Sequence, residues 1–461
     1  MGNDKRSLAA LVLAAGEGKR FRSATPKVLH DLCGRPMLAA VLDAVTPMAS
    51  KTVVVIGRAA DAVQEAAERL TNRPLTFARQ ADQLGTADAA RAGLDALGGF
   101  TGDVLIVPGD TPLLTAKTLR ALVAKHRRTR AVLTLLTARL EDQTGYGRIV
   151  REGGRVTEIV EHRDATKQQR AIDEINAGVY VVKARALRDA LGNVDRKNAQ
   201  GELYLTDVVR VLHGSGGRIE ALIAPDPVEI AGVNSRAQLA EVAAIIRRRT
   251  NQRLMDAGVT IVDPDRTYID PTVKVGRDTI IHPLTFLHGR TTIGDHVQIG
   301  PNTRITDSTV RSGARVVFSE VIEATIGPEA SVGPFAYLRP GATLRKGAKV
   351  GTFVEVKASE IGEGSKVPHL SYIGDAQIGK DVNVGAATVT VNYDGETRTK
   401  SKTVIGDGAK IGSDTMLVAP VKVGKNAATG AGAVVTKDVP PDTMVVGVPA
   451  RKLRDRKGDD G

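Results

Sequence analysis

A short stretch near the start of the chain carries residues that could handle phosphate. Gly16 and Gly18 follow the apolar run 8–15, and Arg20 and Lys27 come shortly after. Backbone amides of a glycine turn ending a buried strand can cradle an anion, and cations beside the turn reinforce it. Asp110 ends the string VLIVPGD and supplies a carboxylate of the kind that holds Mg²⁺ next to phosphate. A glycine turn, two cations and a metal-holding carboxylate together suit the binding of phosphate. The plainer readings are a strand-to-helix turn with solvated bases, and a capping aspartate.

The elements that must position these residues alternate through the first half. Strands at 8–15, 52–56, 75–78 and 103–107 interleave with helical patterns at 37–45, 61–70, 86–97 and 115–127. That alternation predicts an α/β domain, a Rossmann-like parallel sheet with helices on both faces. Ligands in such a sheet bind at the carboxyl ends of strands, where Gly16, Gln80, Gly85-Thr86 and Gly109-Asp110 fall. TGYGR (144–148), VEHRDA (160–165), NAGVY (176–180) and GVNSR (232–236) read as turns or strand ends with an exposed polar group. From 235 to 255 apolar residues keep helical spacing, so a long helix should bridge the two halves.

The second half has another period. Ile326, Val332, Leu338, Leu344, Val350 and Val356 put an aliphatic residue at every sixth position. The register continues through Ile293, Ile299 and Ile305 upstream, and through Ile361, Val367, Ile373, Ile378, Val384, Ile405, Ile411, Leu417 and Val423 downstream. Six residues fit neither an amphipathic helix nor a simple strand; they make one flat side of a parallel β-helix with Gly or Pro at the corners, as in Gly327-Pro328 and Gly333-Pro334. The register lapses between 389 and 404, so the segment 392–402 should loop out of the coil, a common place for a site.

Composition agrees with two or three domains. The chain has 461 residues, no Trp and 3% aromatic residues, which suits an aliphatic-cored coil. No stretch is long enough to span a membrane. Lys5-Arg6 before the apolar run imitate a secretion signal, but the run passes straight into the glycine loop without a cleavage site. The single cysteine, Cys33, excludes an internal disulfide framework, agrees with a cytoplasmic location and reads as a small packing residue. The net charge of +12 comes from scattered bases without a stacking ladder of aromatics, so nucleic acid is not indicated and anionic small substrates account for it. The charged tail 450–461 reads as a disordered end.

The order LAAGEGKR, PKVLH, QADQLGTA, GDTPL, TGYGRI, VEHRDAT, EINAG, GELYLTD and GVNSR, followed by FAYLRPGA, FVEVK, HLSYIGD, NVGA, NYDG and GSDTMLVAP, closely resembles one family. These are the bifunctional N-acetylglucosamine-1-phosphate uridyltransferases / glucosamine-1-phosphate N-acetyltransferases, and the likeness runs from near Leu11 to near Pro449. The resemblance implies a uridyltransferase domain at 1–236, a helical linker at 237–257, and an acetyltransferase domain at 258–461 that is a left-handed parallel β-helix ending in a basic tail. It implies Mg²⁺, with UTP and acetyl-CoA as co-substrates, and a homotrimer with sites between subunits. It further implies that the product feeds peptidoglycan, lipopolysaccharide or other cell-envelope synthesis.

Position by position, the resemblance places Leu13, Ala14, Ala15 and Gly16 against the nucleotide, with Arg20 and Lys27 on its phosphates. Gln80 and Gly85-Thr86 would read uracil, and Pro108 and Gly109 would line the same site. Asp110 and Asn234 would hold Mg²⁺, and Gly147, Glu161 and Asn176 would contact the sugar. In the coil His369 would act as general base, its neutral imidazole taking a proton from the attacking amine. Arg339 and Lys357 would bind the sugar phosphate, Tyr372 and Asn383 the sugar, and Ala386, Ser413 and Ala431 acetyl-CoA, with Asn392 and Tyr393 closing the site on it. The chain departs from the family pattern at Lys19 (more often Thr), Phe21 (Met), Asp88 (frequently His) and Ala387 in GAAT, and it lacks an Arg near Gly447 that some members use for the cofactor. Two other readings remain open: a single-activity nucleotidyltransferase with the coil as trimerising scaffold, and a regulatory subunit built on the same folds.

Overall fold

The computed structural model describes residues 7–16, 18–57 and 59–455. Lys5, Arg6, Glu17 and residues 456–461 of the tail lie outside them, as does the side chain of Lys19. The chain divides into two compact units, 1–244 and 245–461. The boundary falls inside a helix, Arg236–Asp256, where the sequence predicts the bridge.

The first unit is built on one sheet. Its strands are β1 (Leu8–Leu13), β2 (Lys51–Ile56), β3 (Thr76–Arg79), β4 (Asp103–Pro108), β5 (Leu133–Arg139), β6 (Arg148–Glu152), β7 (Arg155–Val160), β8 (Glu174–Lys183) and β9 (Ile219–Ile223). The order across the sheet is β9-β5-β8-β4-β1-β2-β3. β4, β1, β2 and β3 run parallel, as does β9 with β5. β8 runs antiparallel to both its neighbours, and β6 and β7 form a hairpin paired to it. The sheet is therefore parallel with an antiparallel insertion, because strand-helix alternation gives way to a hairpin after β5.

Both faces of this sheet are buried, which is why its strands read as continuous apolar runs. Ala9, Leu11, Val53, Val55, Val104 and Ile106 pack on one face with Leu94, Leu187 and Val208. Ala10, Val12, Val54, Ile56, Leu105 and Val107 pack on the other with Leu38, Leu42, Leu119 and Leu122. The helices begin where the sequence signals them: Thr115 caps Ala116–Thr129 by accepting from Thr118 N, and His126, Arg127 and Arg128 fill its last turn. Cys33 is no core residue. It is half-buried in the turn between Asp31–Leu32 and Arg35–Pro36, with φ 56°.

Among the described residues the second unit is a coil of three faces with 12, 10 and 9 strands, all parallel except the last of the twelve. Each strand pairs with the one a full turn later, so Lys349 meets Lys366 and Val350 meets Val367. Every aliphatic residue of the six-residue register points into one continuous core, from Ile293 to Val423. At corners the backbone enters the left-handed region even without glycine, as at Phe318, Phe335, Phe353 and Leu370. Asn251 closes the starting end of the core by donating to the carbonyls of Pro264 and Thr267. One turn carries an excursion: Ile378 pairs with Ile405, 27 positions on, because Tyr393–Asp394 and Thr399–Lys400 leave the wall as an antiparallel hairpin. The tail is ordered further than its composition suggests, since Arg451–Asp455 pairs antiparallel with Thr443–Val446. Among the described residues no helix is long and apolar enough to cross a membrane.

Candidate active sites

The carboxyl ends of β1, β3 and β4 open on a cavity of about 590 Å³. Leu13, Ala14, Ala15, Gly16, Gly18, Arg20, Lys27, Gln80, Gly85, Thr86, Pro108, Asp110, Glu161, Asn176 and Asn234 all line it. Gly109 and Gly147 stand just behind the lining. Gly109 N donates to Leu13 O at 2.8 Å, and Asn176 N donates to Gly147 O at 2.9 Å.

The glycine loop is clamped rather than free. Ala14 N donates to Val55 O at 2.8 Å, and Gln83 Nε2 donates to Ala15 O at 2.8 Å. Gly85 has φ +125°, and a Cβ there would overlap the backbone of Leu203. Thr86 accepts from Leu205 N at 3.0 Å, so the ELYL segment holds the Gly-Thr pair in place. Gln83 and Leu203 were not singled out from the sequence, although both lie inside the quoted motifs.

Lys27 is buried at the centre of the cavity floor. Its ammonium bonds Asp110 Oδ2, and it donates to Asn234 Oδ1 at 3.0 Å. Gly18 allows this, because a Cβ at Gly18 would lie 2.8 Å from Lys27 Cβ. Val233 N donates to Asp110 O at 2.9 Å, which brings the GVNSR turn beside the aspartate. Two oxygens thus converge on one cationic point, an arrangement that fits Mg²⁺. Among the described residues no group of three or more His, Cys, Asp or Glu could hold a metal ion, so its remaining ligands would come from phosphate and water. Arg20 is exposed at the rim.

On the opposite wall, β8 bulges between Asn176 and Tyr180. The bulge turns Asn176 toward the cavity, and its Nδ2 donates to Tyr180 Oη at 2.6 Å. Glu161 accepts from Thr206 Oγ1 at 3.0 Å. Burial pushes the Glu161 carboxyl above the usual glutamate range, only partly opposed by that bond.

The coil assembles a second constellation. Thr352 pairs with His369 in register, Asp414 N donates to Ala386 O at 2.6 Å, and Gly432 N donates to Ser413 O at 2.9 Å. His369, Ala386, Ser413 and Ala431 therefore recur at one corner in successive turns, three positions after the paired column Lys366, Asn383, Lys410 and Ala428. The small residues leave that edge open. Tyr372 follows on the ten-stranded face, paired with Glu355, and Arg339 donates to Glu355 Oε1 at 2.8 Å.

Asp375, not anticipated from the sequence, joins the rest. It accepts from Lys357 Nζ at 3.4 Å and from Asn392 Nδ2. Lys400, on the hairpin, is the other residue missed. The Lys357 ammonium beside it lowers the pKa of Lys400, and Asp375 supports the charge on Lys357. Asn392 is thus tied to the cation cluster rather than to the corner row, while Tyr393 is exposed. Asn383 stands apart on the twelve-stranded face between Lys366 and Lys410.

Comparison with known proteins agrees with both halves. The family described as MobA-like NTP transferase domain matches residues 10–258, and bacterial transferase hexapeptide (six repeats) matches 272–307 and 402–437. The chain is 54% identical to Bifunctional protein GlmU of Thermobifida fusca, over 96% of this chain and 92% of that one. It is 52% identical to the protein of the same name from Streptomyces avermitilis, with the same coverage. The Trichlorobacter lovleyi protein of that name is 49% identical over 95% of each chain. With a nucleotidyltransferase sheet, a hexapeptide coil and this identity along nearly its whole length, the chain belongs to the bifunctional GlmU family.

Proposed function

We propose that this chain makes UDP-N-acetylglucosamine in two steps at two sites. The coil acetylates glucosamine 1-phosphate, and the first unit couples the product to UTP. The observation that carries the bifunctional reading is that one coil bears both the corner row of His369, Ala386, Ser413 and Ala431 and the Arg339, Lys357 and Lys400 cations, which a mere scaffold would not need.

In the acetyl step the sugar amine attacks the thioester carbonyl of acetyl-CoA. His369 removes the amine proton as the C–N bond forms, and the C–S bond breaks to release CoA. Arg339, Lys357 and Lys400 hold the sugar phosphate with Asn392 beside them, Tyr372 holds the sugar, and the open corner takes the cofactor.

In the uridyl step a phosphate oxygen of N-acetylglucosamine 1-phosphate attacks the α-phosphate of UTP. The bond to the β-phosphate breaks and pyrophosphate leaves. The clamped backbone 13–16 orients the triphosphate, Arg20 and Lys27 offset its charge, and Gln80 with Gly85-Thr86 faces the base. Gly147, Glu161 and Asn176 hold the sugar. Asp110 and Asn234 would bind Mg²⁺, which neutralises charge on the phosphates when bound.

The assembly is a homotrimer of a cytoplasmic enzyme. Supporting this, Phe335, Phe353 and Leu370 lie 55%, 59% and 60% exposed along the corner that leads to His369, an apolar ridge that a second copy would cover. Sedimentation should give three times the chain mass. The function is tested by supplying Mg²⁺, UTP, acetyl-CoA and glucosamine 1-phosphate, and following CoA thiol and pyrophosphate together. Both should appear; pyrophosphate from N-acetylglucosamine 1-phosphate without any CoA release would leave the coil a scaffold.

A further inference from the structure

We propose that Asp88 sets base selectivity in the first site by fixing which way round the Gln80 amide stands; this rests on the reading that Gln80 faces the base. Gln80 is 7% exposed and lines the cavity. Its Nε2 donates to Gly85 O at 3.0 Å and to Asp88 Oδ2 at 3.0 Å. A carbonyl and a carboxylate only accept, so the amide nitrogen must be the atom between them. Oε1 is left on the other side. Among the described residues no protein group bonds it, and it is not a sealed-off orphan, so it faces the cavity.

An acceptor fixed in that orientation selects the pairing edge of the base. Uracil presents N3–H, which can donate to Oε1. Cytosine presents a bare N3 at the same place, so two acceptors would face one another and both would lose their hydrogen bonds. Gly85 O alone is a single tether. Asp88 adds the second, and it does so from the first turn of the helix Thr86–Ala96, a rigid support. Asp88 is therefore a positioning residue for Gln80. It is also one of the places where this chain departs from the family pattern.

The plainer role for Asp88 is an acid in the first turn of that helix, which would affect stability and leave base choice alone. The experiment separates the two. The full chain, Asp88→Ala and Asp88→Asn are compared for pyrophosphate release from UTP and from CTP with N-acetylglucosamine 1-phosphate, and each is melted. Asp88→Ala should lower the UTP-to-CTP ratio of kcat/KM about tenfold, chiefly through KM for UTP, as expected for loss of one hydrogen bond to an oriented group. Asp88→Asn keeps an acceptor and should restore the ratio to near wild type. A folded Asp88→Ala with an unchanged ratio, or Asn and Ala variants that fall together, would overturn the assignment. A wild type that releases pyrophosphate from neither nucleotide would instead overturn the uridyl reading on which it stands.

Discussion

Lys27 and Asp110 form an ion pair in the cavity of the first unit, with side chains 10% and 21% exposed, and Asn234 shares the same ammonium. One cation thus sits where the two expected metal ligands converge. A lysine so placed neutralises the aspartate in the fold and, in the proposed reaction, meets the phosphate bound in the same cavity. Lys27→Ala should therefore slow uridyl transfer by about 10²–10³-fold, the scale for losing one preorganised electrostatic group. CoA release should stay at the wild-type rate. Pyrophosphate release at saturating UTP is the measurement, and an unchanged rate would remove Lys27 from the machinery.

Glu161 gives a pH dependence. Burial raises its carboxyl pKa in the fold, so the folded state binds the proton more tightly than the unfolded chain does. The charged form consequently costs stability, and that cost grows as pH rises from the ordinary glutamate range through the raised value. Glu161→Gln removes the cost, so its melting temperature should gain on wild type as pH increases through that window. For binding the sign is opposite: in the proposed role the carboxylate accepts from sugar hydroxyls, so KM for N-acetylglucosamine 1-phosphate should rise on acidification in wild type and stay flat in the Gln variant. Parallel melts and KM profiles check both.

Asp375 organises the cations of the coil by accepting from Lys357 and Asn392 together. Asp375→Asn should leave both residues less well placed. KM for glucosamine 1-phosphate should rise about tenfold, near the roughly 1.5 kcal/mol of one hydrogen bond to a charged group. Pyrophosphate formation from supplied N-acetylglucosamine 1-phosphate should be unaffected, and initial rates with each substrate decide it.

The parts of this protein that repeat were legible in its sequence. A six-residue aliphatic period leaves one way to bury Ile326 to Val356, and every one of those residues is in the coil core. The strand-turn pattern likewise put Gly16, Gln80 and Asp110 at one edge of a sheet, and they share a cavity. What escaped is made by excursions from period. Asn392 stacks one turn after Asp375 at the point where the register lapses, and Lys400 comes near Lys357 only because the hairpin that follows leaves the coil and folds back. The bulge between Asn176 and Tyr180, the antiparallel course of β8 and the strand Arg451–Asp455 have no periodic signal either. Cys33, read as packing, took a positive-φ turn position next to Gly34 that composition alone does not reveal.

The separation of two chemistries on one chain is tested most directly by His369→Ala, assayed for CoA thiol and for pyrophosphate. The variant should lose CoA release from acetyl-CoA and glucosamine 1-phosphate by at least about 10², the lower end of general-base catalysis. It should still make pyrophosphate from UTP and supplied N-acetylglucosamine 1-phosphate at the wild-type rate. Undiminished CoA release would take the base role from His369, and loss of both products from a folded variant would contradict two independent sites.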